Sequence, residues 1–315
     1  MTRYVTLAYG DAPGVYRQSV MLLVSLVAYA PEPYELIVTT DNPAAYVWFG
    51  TRVEIDYLDA ARLSAWRGAQ PFSMRQKIEL ARLASAGIHE PGDATVLLDA
   101  DVLAAKPLDS FVARLAAGRL FMHKKEYVLS ESRRAGNRKL WNELRRLPSG
   151  VFPEGARADD AMWNSGVLAF PAADRALVDR ALEFYDRLGA AGVRHFATEQ
   201  LVEGVVLGRT GRLEPAQEWF THYWGNKRGY DAEISSRLAD AFIEGQSVKD
   251  AAAHYRLRPI NLPAEVRPSR SQKFVDWIDR HRCSPPTRRM RRTRRRRSRG
   301  APFADPQRRK QRTQR

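Results

Sequence analysis

Residues 94–103 read Ala-Thr-Val-Leu-Leu-Asp-Ala-Asp-Val-Leu, an almost continuous apolar run that two acids interrupt. Such a run, introduced by a Pro-Gly-Asp turn, predicts a buried β-strand. Alternate positions of a strand point to one side, so Asp99 and Asp101 are expected to face one place. Two carboxylates held together with little water cost on the order of several kcal/mol unless a cation or a shared proton compensates them. Because Mg²⁺ and Mn²⁺ prefer such hard oxygen ligands, the pair predicts a metal site.

Strand-like and helix-like segments alternate before this run. The predicted elements are strands at 4–9, 35–40 and 53–58 and helices at 19–30 and 73–86. This alternation favours right-handed βαβ units, so we predict an α/β, Rossmann-like fold with a mostly parallel sheet flanked by helices. Ligands of such sheets bind beyond the carboxyl ends of the strands, where the two acids are expected.

The second half of the chain is less regular. A basic, loop-rich insertion is predicted at 127–158, with a helix near 140–147. The other predicted elements are strands at 119–123 and 163–170, helices at 107–117, 173–190, 198–207 and 273–281, a helical region at 230–255 and an extended one at 256–270.

The net charge of +15 is concentrated at one end of the chain. Residues 282–315 hold 15 of the 51 Lys and Arg but a single one of the 36 acids, so the remainder is almost neutral. A segment so charged and so poor in apolar residues is expected to be disordered. It is interpreted as an anchor to anionic membrane lipids, as a nucleic-acid-binding tail, or as an out-of-frame translation artefact. Nucleic acid is the less favoured partner, because the rest of the chain has no charge excess.

Cysteine content and hydropathy bear on compartment. The single cysteine, Cys283, excludes an internal disulfide, which fits a reducing cytoplasm. The most apolar window, at 20–30, is shorter than the roughly 20 residues that span a bilayer and predicts a core helix. No signal-peptide pattern opens the sequence. A cytoplasmic protein is expected, with membrane association through the tail as an alternative.

Five segments occur in the order of a known family. They are Tyr4-Val-Thr-Leu-Ala8, the stretch from Phe72 to the acid pair, Trp163-Asn-Ser-Gly-Val167, Thr198-Glu-Gln-Leu201 and His222-Tyr-Trp-Gly225. With these motifs the chain resembles nucleotide-sugar glycosyltransferases of the GT-A fold. It is most similar to retaining family eight, which includes glycogenin and bacterial lipopolysaccharide galactosyltransferases. The resemblance covers roughly residues 4–230.

The resemblance implies roles for particular residues. Mn²⁺ (or Mg²⁺) would be held by Asp99, Asp101 and His222. The donor would be contacted by Leu7, Ala8, Tyr9, Asp11, Lys77, Ala100, Ser165, Gly166, Gly225, Lys227 and Arg228, and the sugar chemistry would involve Asn164, Glu199 and Gln200. The chain departs from the family at the cation six residues after the histidine, which is Arg228 with Lys227 one position early. It departs again at Glu199, where the family has Asp.

Several of these residues also have ordinary structural interpretations. His222 lies in an aromatic run where a packing histidine is common, and Glu199 lies in the first turn of a helix, where the helix dipole favours an acid. Asn164 could be a polar start of a strand, and Lys77 a solvated lysine on a helix face.

The predicted function is transfer of a hexose from a UDP-sugar to a hydroxyl of a glycan, lipid or protein, with retention. One alternative is a sugar-nucleotide pyrophosphorylase. Such an enzyme needs a phosphate-binding loop after the first strand, and the segment 10–17 is a poor match to one. Another alternative is a non-catalytic protein of the same fold. The predicted organisation is a catalytic domain at 1–230, a helical extension at 231–281 and the tail at 282–315.

Overall fold

The computed structural model describes residues 1–68, 74–87, 90–148, 150–152 and 155–263. In chain order the strands are β1 Thr2–Ala8, β2 Tyr34–Thr40, β3 Glu54–Tyr57, β4 Ala94–Leu98, β5 Val102–Ala104, β6 Leu120–Val128, β7 Ala161–Pro171, β8 Leu213–Pro215 and β9 Phe220–His222. The α-helices are α1 Pro13–Tyr29, α2 Ala60–Arg67, α3 Arg75–Ala84, α4 Asp109–Ala116, α5 Ala135–Leu144, α6 Arg175–Ala190, α7 Thr198–Gly208, α8 Lys227–Ile243 and α9 Val248–Leu257.

Seven strands form one mixed sheet in the order β3-β2-β1-β4-β7-β6-β8. The first four in this order are parallel to one another, β7 is antiparallel to both of its neighbours, and β8 is parallel to β6. The predicted α/β fold with a mostly parallel sheet is therefore confirmed. The antiparallel β7 was not predicted, because local hydrophobic pattern says nothing about strand direction.

The strand predicted over 94–103 is interrupted at the acids. β4 ends at Leu98, the backbone turns with Val102 N–H donating to the Asp99 carbonyl at 3.1 Å, and the chain continues as β5. β5 pairs with β9 in a separate two-stranded sheet, so it has left the main sheet. The two acids thus lie in a turn at the strand end, and the turn rather than strand alternation sets where they point.

Helices bury an apolar core on each face of the sheet. One core contains Leu22 of α1, Phe111 of α4 and Tyr255 of α9, and the other contains Ile78 of α3 and Leu201 of α7. The apolar window at 20–30 belongs to α1, which begins earlier than predicted, with a proline in its first turn. In the described part of the chain no helix is long and apolar enough to cross a membrane.

The helical region predicted at 230–255 is two helices. α8 ends at Ile243, and Ser247 then begins α9 with a capping box in which Ser247 and Asp250 satisfy each other's backbone N–H groups. α5 begins at Ala135, earlier than predicted. The helix predicted at 273–281 and the basic tail lie outside the described residues, and the division of the chain into domains stays a prediction.

Candidate metal and donor site

The carboxyl ends of β1 and β4 lie side by side, with Thr6 of β1 opposite Leu98 of β4. On the other side of β4, the Asp99 N–H donates to the Gly166 carbonyl of β7 at 2.9 Å. β5 and β9 form the adjoining wall, where Val102 is the register partner of His222. These pairings bring residues from four separate parts of the sequence to one edge of the sheet.

Asp99, Asp101 and His222 converge at this edge, with one ligand atom from each lying within 4.8 Å of the others. His222 Nε2 lies 3.3 Å from Asp101 Oδ1 and 3.9 Å from Asp99 Oδ2. Asp101 is only 7% exposed. The fold therefore assembles the three residues that the sequence analysis assigned to a metal.

Hydrogen bonding by Asn164 sets the orientation of the imidazole. Asn164 Oδ1 lies 2.7 Å from His222 Nδ1 and also accepts the Gly166 N–H at 3.1 Å. Since that oxygen already accepts a backbone N–H, the hydrogen in its contact with Nδ1 is carried by the imidazole. In neutral His222 the Nε2 lone pair then faces the carboxylates. In metal sites, a hydrogen bond to the second ring nitrogen commonly fixes the tautomer and orientation of a histidine ligand in this way.

Gly166 makes room for the imidazole. A Cβ built on Gly166 would lie 2.2 Å from His222 Nδ1 and 2.7 Å from its Cγ. A side chain at this position would therefore occupy the volume of the ring. The predicted contact of Gly166 with the donor stays a prediction.

Two lysines neutralise the far oxygens of the acid pair. Lys77 Nζ lies 2.8 Å from Asp99 Oδ1, and Lys227 Nζ lies 2.8 Å from Asp101 Oδ2. Lys77 also pairs with Glu199 at 2.8 Å and donates to the Ser165 hydroxyl at 3.1 Å. The electrostatic cost inferred for the acid pair is thus met partly by lysines, which leave one oxygen of each carboxylate facing His222.

The charges of these groups support one another. Burial alone would raise the pKa of Asp101, but His222 and then Lys227 outweigh it and hold that pKa well below its usual range. Burial would likewise lower the pKa of Lys77, yet the carboxylates of Asp99 and Glu199 raise it above its usual value. Both groups are therefore charged at neutral pH.

The donor set fits a divalent cation. Two carboxylate oxygens and one imidazole nitrogen converge, with His222 Nε2 3.3 Å from Asp101 Oδ1, and a divalent cation is a charge that all three can ligate. Mn²⁺ accepts both oxygen and imidazole ligands, and Mg²⁺ prefers oxygen. Asp99, Asp101 and His222 could therefore hold such an ion.

The residues predicted to contact the nucleotide lie at and just after the carboxyl end of β1. Tyr9 is half-buried, and its hydroxyl accepts from Gln76 Nε2 at 2.5 Å. The Arg67 guanidinium lies 5.6 Å from the centroid of the same ring. Leu7 and Ala8 end the strand, whereas Asp11 is exposed in the loop after it. Tyr9 is thus held in one orientation, as a ring that stacks on a base requires.

Four further predicted residues make fewer contacts. Arg228 and Gly225 are exposed, and a Cβ on Gly225 would meet nothing within 4 Å, so no described residue requires a glycine there. Ala100 is buried between the two acids, and Gln200 is half-buried in α7. Of the two candidate cations after His222, Lys227 contacts an acid of the site, while Arg228 forms no ion pair with any described residue.

Glu203 was missed by the sequence analysis. It lies one helical turn after Glu199, is 1% exposed, and neither carboxyl oxygen has a hydrogen-bond partner among the described residues. Burial and then the charge of Glu199 raise the pKa of Glu203 well above its usual value. It is therefore a neutral acid beside the Lys77 cluster. An acid in the apolar part of α7, one turn after Glu199, was the signal that could have revealed it.

The stability of the protein should depend on this proton. The native state keeps a proton that the unfolded chain releases above the ordinary pKa of 4.5. The stabilisation is complete below that pH and is lost as the pH rises through the raised native pKa. We expect the free energy of unfolding, from urea titrations at about pH 5 and about pH 9, to fall less in Glu203→Gln than in wild type. Exposed Glu90→Gln should follow wild type; an equally steep fall in Glu203→Gln would contradict a neutral Glu203.

A separate cavity of about 540 Å³ is lined by α1, α8 and α9, including Val24, Leu238 and Tyr255. None of the residues that the motifs assign to metal or donor lines it. It is therefore distinct from the site at the sheet edge.

Solved structures similar to this chain include two glycosyltransferases. Mouse xyloside xylosyltransferase 1 in its apo form is 12% identical, with 68% of this chain and 85% of that chain covered and a TM-score of 0.44. An active-site mutant of LgtC is 14% identical, with 68% and 72% covered and a TM-score of 0.43. No protein-family profile matches the sequence, and no curated protein matches it. At these identities and TM-scores the similarity between structures assigns neither activity nor substrate to this chain.

Proposed function

We propose that this protein is a metal-dependent glycosyltransferase that moves a hexose from a UDP-sugar to a hydroxyl acceptor, with retention at the anomeric carbon. The observation that carries the proposal is the convergence of Asp99, Asp101 and His222 at the carboxyl edge of the sheet, with lysines on both sides. A clamp of this kind suits a diphosphate, because it combines a divalent-cation site with fixed ammonium groups.

Three residues would hold the cation. The ion that Asp99, Asp101 and His222 bind would supply positive charge to the two donor phosphates and to the diphosphate as it leaves. Lys227 is half-exposed beside Asp101, so its ammonium can turn from that carboxylate to a phosphate oxygen. Arg228, exposed and next in sequence, offers a second, bidentate contact.

The sugar would lie on the side of Lys77, Glu199 and Gln200. Lys77 is fixed between Asp99 and Glu199, so it presents a localised charge at the boundary between metal and sugar. In the proposed reaction the acceptor oxygen bonds to the anomeric carbon, the bond from that carbon to the diphosphate breaks, and the hydroxyl proton passes to the leaving phosphate. Glu199 holds Lys77 and orients it, and no covalent step on Glu199 is invoked.

The proposal predicts metal-dependent binding of uridine nucleotides. Calorimetric titration with UDP should show binding at least about 10-fold tighter with Mn²⁺ than with EDTA, since an ion held by Asp99, Asp101 and His222 would supply positive charge to the phosphates. ADP is the matched control, because it carries the same diphosphate on another base. Equal affinity with and without Mn²⁺ would contradict a metal clamp, and equal affinity for ADP would contradict uridine selectivity.

Donor sugar and acceptor require a product assay. The protein is incubated with a panel of UDP-hexoses, and the released or transferred sugar is analysed by NMR. The spectra identify the donor that is used and the anomeric configuration of the product. The membrane role of residues 282–315 stays a prediction from the sequence alone.

A further inference from the structure

The segment from Lys124 to Arg146 is strongly basic. It contains eight Lys and Arg and three Glu, in a chain whose first 281 residues are almost neutral. The segment includes the second half of β6, the short turn after it and α5. It is therefore the place in the described structure where positive charge departs most from the balance of the body.

Several arginines of this segment, unlike others in the protein, have no carboxylate partner in the described part of the chain. Elsewhere Arg75 pairs with Asp186 at 2.8 Å, and Arg62 with Asp56 at 2.6 Å. In contrast, four arginines are exposed and form no ion pair with any residue that the structure describes: Arg133, Arg134, Arg138 and Arg146. Unpaired guanidinium groups keep their donors free for an incoming anion.

The basic segment begins at the candidate site. Lys124 is the register partner of Asn164, which holds His222, and Lys125 is the partner of Trp163. From there the segment continues into α5. Leu140 of α5 belongs to the same apolar core as Leu201 of α7, the helix whose first turn carries Glu199. The segment thus runs from the edge of the candidate site to a helix that shares an apolar core with α7.

Strand order separates this segment from the nucleotide. The predicted nucleotide contacts follow β1, whereas β6 lies beyond β4 and β7 in the sheet. With neighbouring strands about 4.8 Å apart, β6 lies about 10 Å from β4, on the side away from β1. The exposed arginines follow β6 in the chain, whereas the proposed diphosphate contacts lie at the end of β4.

We propose that the basic surface, comprising Lys125, Arg133, Arg134, Arg138 and Arg146, binds a phosphate or carboxylate group of the sugar acceptor, which is thus an acidic glycan. This inference rests on the proposed glycosyltransferase function and names its acceptor class. Guanidinium groups bind both anions in bidentate fashion, so the shared chemistry is that of a planar or tetrahedral oxyanion.

The test compares acidic and neutral oligosaccharides on matched variants of the full chain. Binding of tetragalacturonate, of a phosphorylated mannotetraose and of neutral maltotetraose is measured by calorimetry at low and high salt. The triple variant Arg133→Gln/Arg134→Gln/Arg138→Gln should lose about 10-fold in affinity for an acidic probe, as expected for three exposed charge contacts. The control triple variant Arg52→Gln/Arg180→Gln/Arg258→Gln removes the same charge at exposed positions elsewhere and should change affinity less than about 2-fold.

The acidic probe that binds better identifies the group as carboxylate or phosphate. Equal binding of maltotetraose and the acidic probes, or equal losses in the two triple variants, would overturn the proposal. Tighter binding of single-stranded RNA, or of anionic vesicles, through the same three arginines would overturn it in favour of a nucleic acid or a lipid surface. UDP binding with Mn²⁺, measured on the same preparations, tests the transferase separately. Its absence would contradict the proposed function, whereas its presence without preference for acidic sugars would contradict only the acidic acceptor.

Discussion

Asp101→Asn is expected to abolish Mn²⁺-dependent binding of UDP. Asparagine keeps the size of the side chain but removes the charge that His222 and Lys227 both face, at 3.3 and 2.8 Å. Loss of an outer-shell partner typically costs 10- to 100-fold in metal affinity, so loss of a ligand charge should cost about 100-fold or more. Calorimetry with Mn²⁺ alone, then with UDP and Mn²⁺, separates the two binding steps.

Exposed Asp240→Asn is the matched control for charge, because it removes one acid far along α8 from the site. It should bind Mn²⁺ and UDP as wild type does. A folded Asp101→Asn protein that retains metal-dependent UDP binding would show that the acid pair does not hold the ion. Thermal melting of each variant checks that lost binding is not lost folding.

Gly166→Ala should displace His222 and weaken metal binding without altering any ligand. The new Cβ would lie 2.2 Å from His222 Nδ1, a separation that the neighbours must relieve by moving the ring. Overpacking of this kind typically costs about 1–3 kcal/mol of stability. Because the moved ring also loses its bond to Asn164, we expect Mn²⁺ affinity to fall about 10-fold or more, as for outer-shell changes.

Gly136→Ala is the control for this substitution. Gly136 lies in α5, where a Cβ would meet nothing within 4 Å, so alanine there should leave stability unchanged or raise it slightly. Urea denaturation and Mn²⁺ calorimetry on both variants test the idea. Wild-type Mn²⁺ affinity in Gly166→Ala would mean that His222 is not a ligand, or that the ring tolerates the shift.

The negative charge of Asp99 and Asp101 is compensated by groups on two sides. Lys77 and Lys227 take the outer oxygens of the acid pair, and Asn164 fixes the imidazole that faces the inner ones. Neutral Glu203 lies next to this cluster, so the three acids around Lys77 do not all carry charge. The arrangement explains how several acids can share a poorly hydrated strand end before an ion binds.

Much of the fold could be predicted from local sequence patterns. β1, β2 and β3 and the helices α3, α6 and α7 follow from hydrophobic period and turn residues, and their predicted bounds lie within a few residues of the observed ones. The predicted strand through the acids was too long, because an apolar run cannot show where its hydrogen-bond partners change. β4 pairs within the main sheet and β5 with β9, and that exchange of partners is a long-range event.

The sequence by itself determined that two acids would stand at the carboxyl end of a buried strand, because alternating strands and helices and an apolar run are local properties. It also placed Lys77 and His222 as candidates, through motifs. Only the tertiary structure decided that His222 lies opposite Val102, that Asn164 Oδ1 contacts His222 Nδ1, and that the imidazole lies where a side chain on residue 166 would be. These are contacts between distant segments, which strand pairing creates and which no local pattern contains.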